Sequence, residues 1–192
     1  MYLALVLTPA YPIRTERLDL RPFEPGDLAA LHSYLSRPDV HRYLYSEPSA
    51  DEEATRASLA KKLSRTALRE PGDIINLAVV VRETGQLVGD VLLRWISAEH
   101  RQGEIGYVFH PDHGGRGYAT EASREMLRLG FEELKLHRII GRMDGRNAAS
   151  ARVLERLGMR REAHLRENEW VKGEWTDEVI YAILAREWRA GR

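Results

Sequence analysis

Leu18-Asp19-Leu20-Arg21 alternates apolar with polar residues. Farther along, three runs at 74–81, 87–95 and 103–109 are dense in Ile, Val, Leu and Phe. Period-two or continuous apolar runs of this length, broken by Glu83-Thr84-Gly85 and by Glu99-His100-Arg101-Gln102, read as strands of an antiparallel meander. Two helical stretches lie between the first strand and that meander. Pro25-Gly26-Asp27 opens a short helix to about Ser36, and 51–68 forms a second with Ala54, Ala57, Leu59, Ala60, Leu63 and Ala67 as its buried stripe. Downstream the pattern gives a helix over 117–134, a strand over 137–143, a helix over 148–157, and strands over 159–165 and 175–183. The expected fold is α/β: a mixed, mostly antiparallel sheet of about seven strands flanked by about four helices.

The length of 192 residues suits one well-buried domain spanning 1–192. Lys plus Arg (29) balance Asp plus Glu (29), which removes any general attraction to nucleic acid or to an anionic membrane. Arginines crowd between Arg138 and Arg166, where a solvated face is the expectation. With no cysteine, a thiol nucleophile, a disulfide scaffold and a Cys-containing metal site are all excluded, and a cytoplasmic location is compatible. The apolar run Tyr2-Leu3-Ala4-Leu5-Val6-Leu7 has no basic segment before it and is too short to span a bilayer. An extra edge strand or a partner contact is its expected role, and a homodimer stays open.

Between the third meander strand and the helix that follows lies His110-Pro111-Asp112-His113-Gly114-Gly115-Arg116-Gly117-Tyr118-Ala119-Thr120. Glycines allow φ > 0 and close approach of a ligand, and the first N–H groups of a helix lack intrahelical partners at the positive end of its dipole. Such a loop cradles a diphosphate. The absence of a Gly-Lys-Ser/Thr ending argues against ATP, and the missing third glycine of the dinucleotide fingerprint argues against NAD. His110 and His113 carry ligand-like letters, but Pro111 breaks any helix that would align them, so no metal is expected.

Gly114-Gly115-Arg116-Gly117-Tyr118-Ala119 resembles the acyl-CoA loop of the GNAT N-acetyltransferases, usually Gln/Arg-x-x-Gly-x-Gly/Ala, with Gly114 where Gln or Arg is common. Asn147-Ala148-Ala149-Ser150-Ala151-Arg152-Val153 through Gly158-Met159 is similar to the Asn-x-x-Ser signature of the branch that holds the ribosomal-protein N-terminal, or Rim-type, enzymes. The opening Thr15-Glu16-Arg17-Leu18-Asp19-Leu20-Arg21-Pro22 and the ending Arg166 to Asp177 match that branch in the same order. The resemblance implies acetyl-CoA as acetyl donor, without a metal. It also implies two strands that splay beside the glycine loop, leaving the backbone of Tyr107, Val108 and Phe109 free to pair with the pantetheine arm. The diphosphate is then expected on Gly114, Gly115, Arg116, Gly117, Tyr118 and Ala119, with Asn147 as both helix N-cap and cofactor contact.

Acyl transfer to an amine needs a neutral amine and a route for returning a proton to the thiolate. An α-amine, with a pKa of about 7.7–8.0, makes little demand on a base, whereas a lysine amine at about 10.4 needs a committed one. By resemblance Glu169 is that base, with Glu104 the rival carboxylate. Ser150 is placed by the same resemblance as proton donor to the sulfur, helped by the helix dipole. Each has a bland alternative: a solvated acid, a salt-bridged strand end, a small helical residue, and for Arg116 a solvent-facing cation. Tyr118 suits packing, and Trp95, Trp170, Trp175 and Tyr45 suit core or rim. The 43–48 loop is where the branch shapes its acceptor pocket.

The leading reading is an acetyl-CoA-dependent N-acetyltransferase acting by direct attack in a ternary complex on a protein N-terminal α-amine or a small amine. An enzyme for antibiotics or polyamines would call for an acidic acceptor pocket, for which Glu47, Asp51, Glu52 and Glu53 are candidates. A non-catalytic acyl-CoA-binding module and a nucleotide-binding regulator are the readings from other classes.

Overall fold

The computed structural model describes residues 6–191. Eight strands form one sheet: β1 (Ile13–Arg14), β2 (Leu18–Pro22), β3 (Ile74–Val81), β4 (Leu87–Ser97), β5 (Gln102–Phe109), β6 (Arg138–Asp144), β7 (Arg160–Val171) and β8 (Glu174–Leu184), in spatial order β1-β2-β3-β4-β5-β6-β8-β7. All neighbours are antiparallel except β5 and β6. Six α-helices among the described residues flank the sheet: α1 (Leu28–Leu35), α2 (Pro38–His41), α3 (Glu52–Leu63), α4 (Tyr118–Arg128), α5 (Ala148–Arg156) and α6 (Ala185–Ala190). The sheet has one strand more than the pattern suggests because β1 is only two residues long, and α2 and α6 are too short to show a helical period.

Strand alternation sorts the interior into two layers. Leu77, Val79, Val91, Leu93 and Ile105 face Ala122, Met126 and Leu127 of α4 in the main core. Ala78 turns the other way, into a smaller cluster with Phe23, Leu31, Tyr34, Leu35 and Leu59 under α1 and α3. A polar group anchors that second layer: Asp90 accepts from Tyr34 Oη, Lys62 Nζ and Asn76 Nδ2, each at 2.8 Å. No helix among the described residues is long and apolar enough to cross a membrane.

The second helix differs from its sequence reading. It stops at Leu63 with Ser64 as C-cap, and Ala54, Ala57 and Ala60 of the expected stripe are exposed. Its buried residues are Thr55 and Leu59, and Thr55 Oγ1 bonds His32 Nδ1 at 2.7 Å. Alanines carry too little apolar surface to dictate a face, so a narrow seam with polar anchors decides it. Ala67 and Leu68 are buried beyond the helix, where Leu68 exchanges both backbone bonds with Leu7 at 2.8 and 2.9 Å. That bridge is the described part of the N-terminal apolar run, whose residues 2–5 lie outside the described residues. β7 runs on past 165 to Val171, with an irregular register between Leu165 and Glu169. Its charged, mostly exposed residues hide the strand pattern, as suits the sheet's edge.

One departure from regular pairing positions the site. β5 and β6 are paired in parallel only where Gln102, Gly103 and Glu104 meet Arg138, Ile139 and Ile140. Beyond those residues β5 keeps its ladder with β4 as far as Phe109, and β6 keeps its ladder with β8 as far as Asp144. The sheet therefore divides into two halves that open from Glu104 toward the glycine loop.

Candidate active site

The glycine loop is built as a helix entry. Pro111–His113 makes one 3₁₀ turn, Gly114 N donates to Pro111 O at 2.9 Å, and Gly115 and Gly117 take φ of 74° and 80°. Gly117 is the N-cap of α4 and has no side chain to cap it, so the first N–H groups of the helix point out of the loop. In that first turn, the buried Thr120 Oγ1 has no hydrogen-bond partner among the described residues. Arg17 holds the loop from outside. Its Nη1 donates to Arg116 O at 2.9 Å, its Nε to Glu121 Oε2 at 2.8 Å, and its guanidinium lies 5.0 Å from the Tyr118 ring centroid. Glu121 also accepts from Thr15 Oγ1 at 2.6 Å and from Arg17 N at 2.9 Å. Burial would raise the Glu121 pKa, but these bonds outweigh it and hold the carboxyl below the usual range.

The splay and the loop enclose a cavity of about 480 Å³. Its lining brings together Tyr107, Val108, Phe109, Gly114, Gly115, Gly117, Tyr118, Ala119, Asn147 and Ser150, together with Tyr43 and Leu44. Arg116 is the exception. It is exposed, and it lines an adjoining open surface with Thr15, Arg17 and Arg124 that shares Gly115, Gly117, Thr120 and Arg156 with the cavity. Asn147 caps α5, its Oδ1 accepting from Ser150 N at 3.0 Å. The Ser150 side chain meets a group that sequence spacing does not join to it: Tyr107 Oη lies 2.9 Å from Ser150 Oγ and donates to Ser150 O at 3.1 Å. Burial pushes the Tyr107 phenol up to about 12, against the bond with Ser150.

Glu104 and Glu169 belong to the opposite face. Tyr107 points toward α5, so Glu104, three residues earlier on the same strand, points away from it. Arg142 of β6 organises this second group, its Nε and Nη2 each 2.5 Å from Glu178 Oε1 and its Nη2 3.4 Å from Glu169 Oε1. Glu178 is 3 % exposed and also accepts from Asn168 Nδ2 at 3.1 Å, with Tyr45 Oη at 3.4 Å. Burial raises the Glu104 pKa and Glu178 adds to it, while Arg142 and Arg94 oppose it. The Glu104 carboxylate has no hydrogen-bond partner among the described residues and sits where β5 and β6 part. Glu169 is one-third exposed and lies in register with Thr176, nearer the hairpin tip.

Sequence reading missed Arg17, Glu121, Arg142, Glu178 and the hydroxyl of Tyr107. Charged residues in strands and at helix starts look solvated, and only the Thr15-Glu16-Arg17 match hinted at any of them. Trp95 is buried, whereas Trp170 and Trp175 are 61 % and 57 % exposed and form a T-shaped pair 5.2 Å apart on the β7–β8 hairpin. Among the described residues no group of three or more His, Asp or Glu side chains is placed to hold a metal ion.

Comparison with known proteins agrees with this architecture. Residues 17–160 match the family described as an acetyltransferase (GNAT) domain. The N-acetyltransferase YnaD of Bacillus subtilis, itself uncharacterized, is 37% identical over 176 residues, covering 92% of this chain and 98% of its own. A crystal structure of a GNAT-family acetyltransferase from Bacillus anthracis superposes with a TM-score of 0.80 at 38% identity, covering 91% of this chain and 98% of the other. The spermidine N(1)-acetyltransferase of Vibrio cholerae is more distant, 27% identical over 168 residues, or 88% of this chain and 93% of its own. With its splayed sheet, its glycine loop at a helix entry and a family match over most of its length, this chain belongs to the GNAT acetyltransferases.

Proposed function

We propose that the protein moves an acetyl group from acetyl-CoA to the primary amine of a protein N-terminus or small molecule, by direct attack in a ternary complex of the Rim type. The observation that carries this reading is the two-faced opening between β5 and β6. One face offers Ser150, Tyr107 and the free N–H groups of the glycine loop; the other offers carboxylates. The donor side fits acetyl-CoA. An open left-handed loop, an unpartnered Thr120 Oγ1 and the unpaired inner edge of β5 beyond Glu104 are the features an anionic, amide-bearing arm requires. Gly114, Gly115, Gly117, Tyr118 and Ala119 would hold the diphosphate, the backbone of Tyr107, Val108 and Phe109 the pantetheine, and Asn147 the turn beside it. Arg116 contributes through its backbone.

Acetyl-CoA, when bound, supplies a thioester whose acetyl carbon accepts the amine. A C–N bond forms, the C–S bond breaks, and its electron pair stays on sulfur. Glu104 takes the amine's proton, directly or through water, because its raised pKa lies closer to that of an amine than an ordinary carboxylate's does. Glu169, in this reading, holds Arg142 at the rim and is the second carboxylate to test. Ser150 donates to the sulfur from the first turn of α5.

The acceptor site favours a single amine over a polycation. Three carboxylates, Glu104, Glu169 and Glu178, are offset by Arg142 and Arg94. Two of the acids that could have served a polyamine are otherwise engaged: Asp51 caps α3 by accepting from Ala54 N at 2.8 Å, and Glu53 pairs with Arg56. The test is a pair of pH–rate profiles, for Glu104→Gln and Glu169→Gln. Loss of the base should cost about 10²–10⁴-fold in kcat/KM at low pH and recover near about pH 8 for an α-amine, or about pH 10 for a lysine-like amine. A Glu104→Gln profile that superimposes on wild type removes Glu104 from the role; the same result for both variants removes carboxylate base catalysis.

A further inference from the structure

The Tyr107 hydroxyl touches Ser150 twice, and hydrogen-bond counting limits how it does so. A phenol carries one proton and a carbonyl only accepts. When Tyr107 Oη donates to Ser150 O at 3.1 Å, the Ser150 hydroxyl must supply the proton of the 2.9 Å contact, and its donor is spent on the phenol. When the phenol proton rotates to Ser150 Oγ instead, the serine proton is released into the cavity that both residues line. No heavy atom moves between the two arrangements. We propose that Tyr107 is a positioning residue that aims the Ser150 hydroxyl at the departing sulfur, switching that donor on by rotating its own proton. The inference rests on the reading of Ser150 given above.

Tyr107 does not give its proton away in this scheme. With the phenol near 12 and a thiol near ~8.5, transfer from Tyr107 to sulfur is uphill by about 10³-fold or more. The pair therefore stabilises a thiolate by hydrogen bonding through Ser150, with the phenol as the second link of a polarised chain.

An equilibrium measurement tests this without turnover. A site that stabilises a thiolate lowers the pKa of bound CoA, so CoA should bind more tightly as pH rises from 6.5 to 9.5, whereas desulfo-CoA, which has no sulfur to ionise, should not. A hydrogen bond to a charged acceptor is worth about 1.5–3 kcal/mol, so the gain over desulfo-CoA by calorimetry should be about 10-fold or more in wild type. In Tyr107→Phe, which keeps the ring, nothing holds the Ser150 hydroxyl toward the sulfur against back-bonding to its own helix, and the gain should fall below about 3-fold. Ser150→Ala should abolish it, and kcat of the double variant should be no lower than that of Ser150→Ala alone. Should Tyr107→Phe misfold, 3-fluorotyrosine incorporated at Tyr107 keeps the shape and acidifies the phenol, and the gain should be retained or enlarged. A full gain in Tyr107→Phe with loss in Ser150→Ala overturns the inference alone. An undiminished gain in Ser150→Ala overturns the reading of Ser150 as well.

Discussion

Gly117→Ala separates the loop's conformational role from its binding role. Gly117 has φ of 80°, and an added Cβ would come no closer than 3.4 Å to a protein atom, Arg17 Nη2. The cost to folding is therefore backbone strain without a clash, about 1–2 kcal/mol. For a chain of this size about 2–4 °C of Tm accompanies each kcal/mol, so a fall of about 2–8 °C is expected. Binding should suffer separately, because the methyl group stands beside the first-turn N–H groups of α4. Losing one hydrogen bond to a charged phosphate costs about 1.5–3 kcal/mol, or about 10–100-fold in acetyl-CoA affinity. Gly72→Ala is the control: it has φ of 104° with no atom within 4 Å of the added Cβ, and its N–H bonds Trp95 O, at the opposite end of the β4–β5 ladder from the loop. It should lose similar stability and bind acetyl-CoA normally. Thermal unfolding and calorimetry on both variants decide the matter. Equal stability losses with wild-type affinity in Gly117→Ala would refute the diphosphate cradle.

Three further outcomes follow from contacts outside the cavity. Arg17→Ala should raise the KM for acetyl-CoA by about 3–10-fold with kcat near wild type, since it frees the Arg116 carbonyl and removes the Nε and Nη2 donors from Glu121. Lys62→Met should destabilise by about 3–5 kcal/mol in urea unfolding by leaving Asp90 buried without its cation, and adding Asp90→Asn should restore part of the loss. The Glu121 pKa lies below its ordinary value of 4.5 in the folded chain, so the stability it contributes is complete above that pH and is lost as pH falls through the lower folded value. Glu121→Gln should flatten that segment of the Tm-versus-pH curve.

The side of the cavity proposed to hold the donor is legible in the sequence because it is local. A glycine loop entering a helix and an Asn-x-x-Ser helix start each carry their geometry in contiguous residues, and Asn147 and Gly117 take the roles their types suit. The proposed acceptor side is not, because it is assembled across the sheet. Glu178 and Arg142 are neighbours only through the pairing of β6 with β8; on the donor side the one contact that is not local, Tyr107 with Ser150, spans 43 positions of sequence and is equally hidden. Charge at alternate strand positions reads as a solvated face until burial shows otherwise, as with Glu178 at 3 % exposure. The meander followed directly from its apolar runs and turns, whereas α3 was overextended because alanines fit a helix without fixing its end or its buried side.

The central claim, acetyl transfer to a primary amine, is tested most directly by incubating the purified protein with acetyl-CoA and a panel of peptides with free or blocked N-termini, lysine analogues and polyamines, following CoA thiol release and product mass. The account predicts thiol release that depends on a free amine, strongest with a single α-amine, and one acetyl group gained by that amine for each thiol released. Acetyl-CoA bound without release in the presence of any amine, or ATP bound in preference to acetyl-CoA, would contradict it.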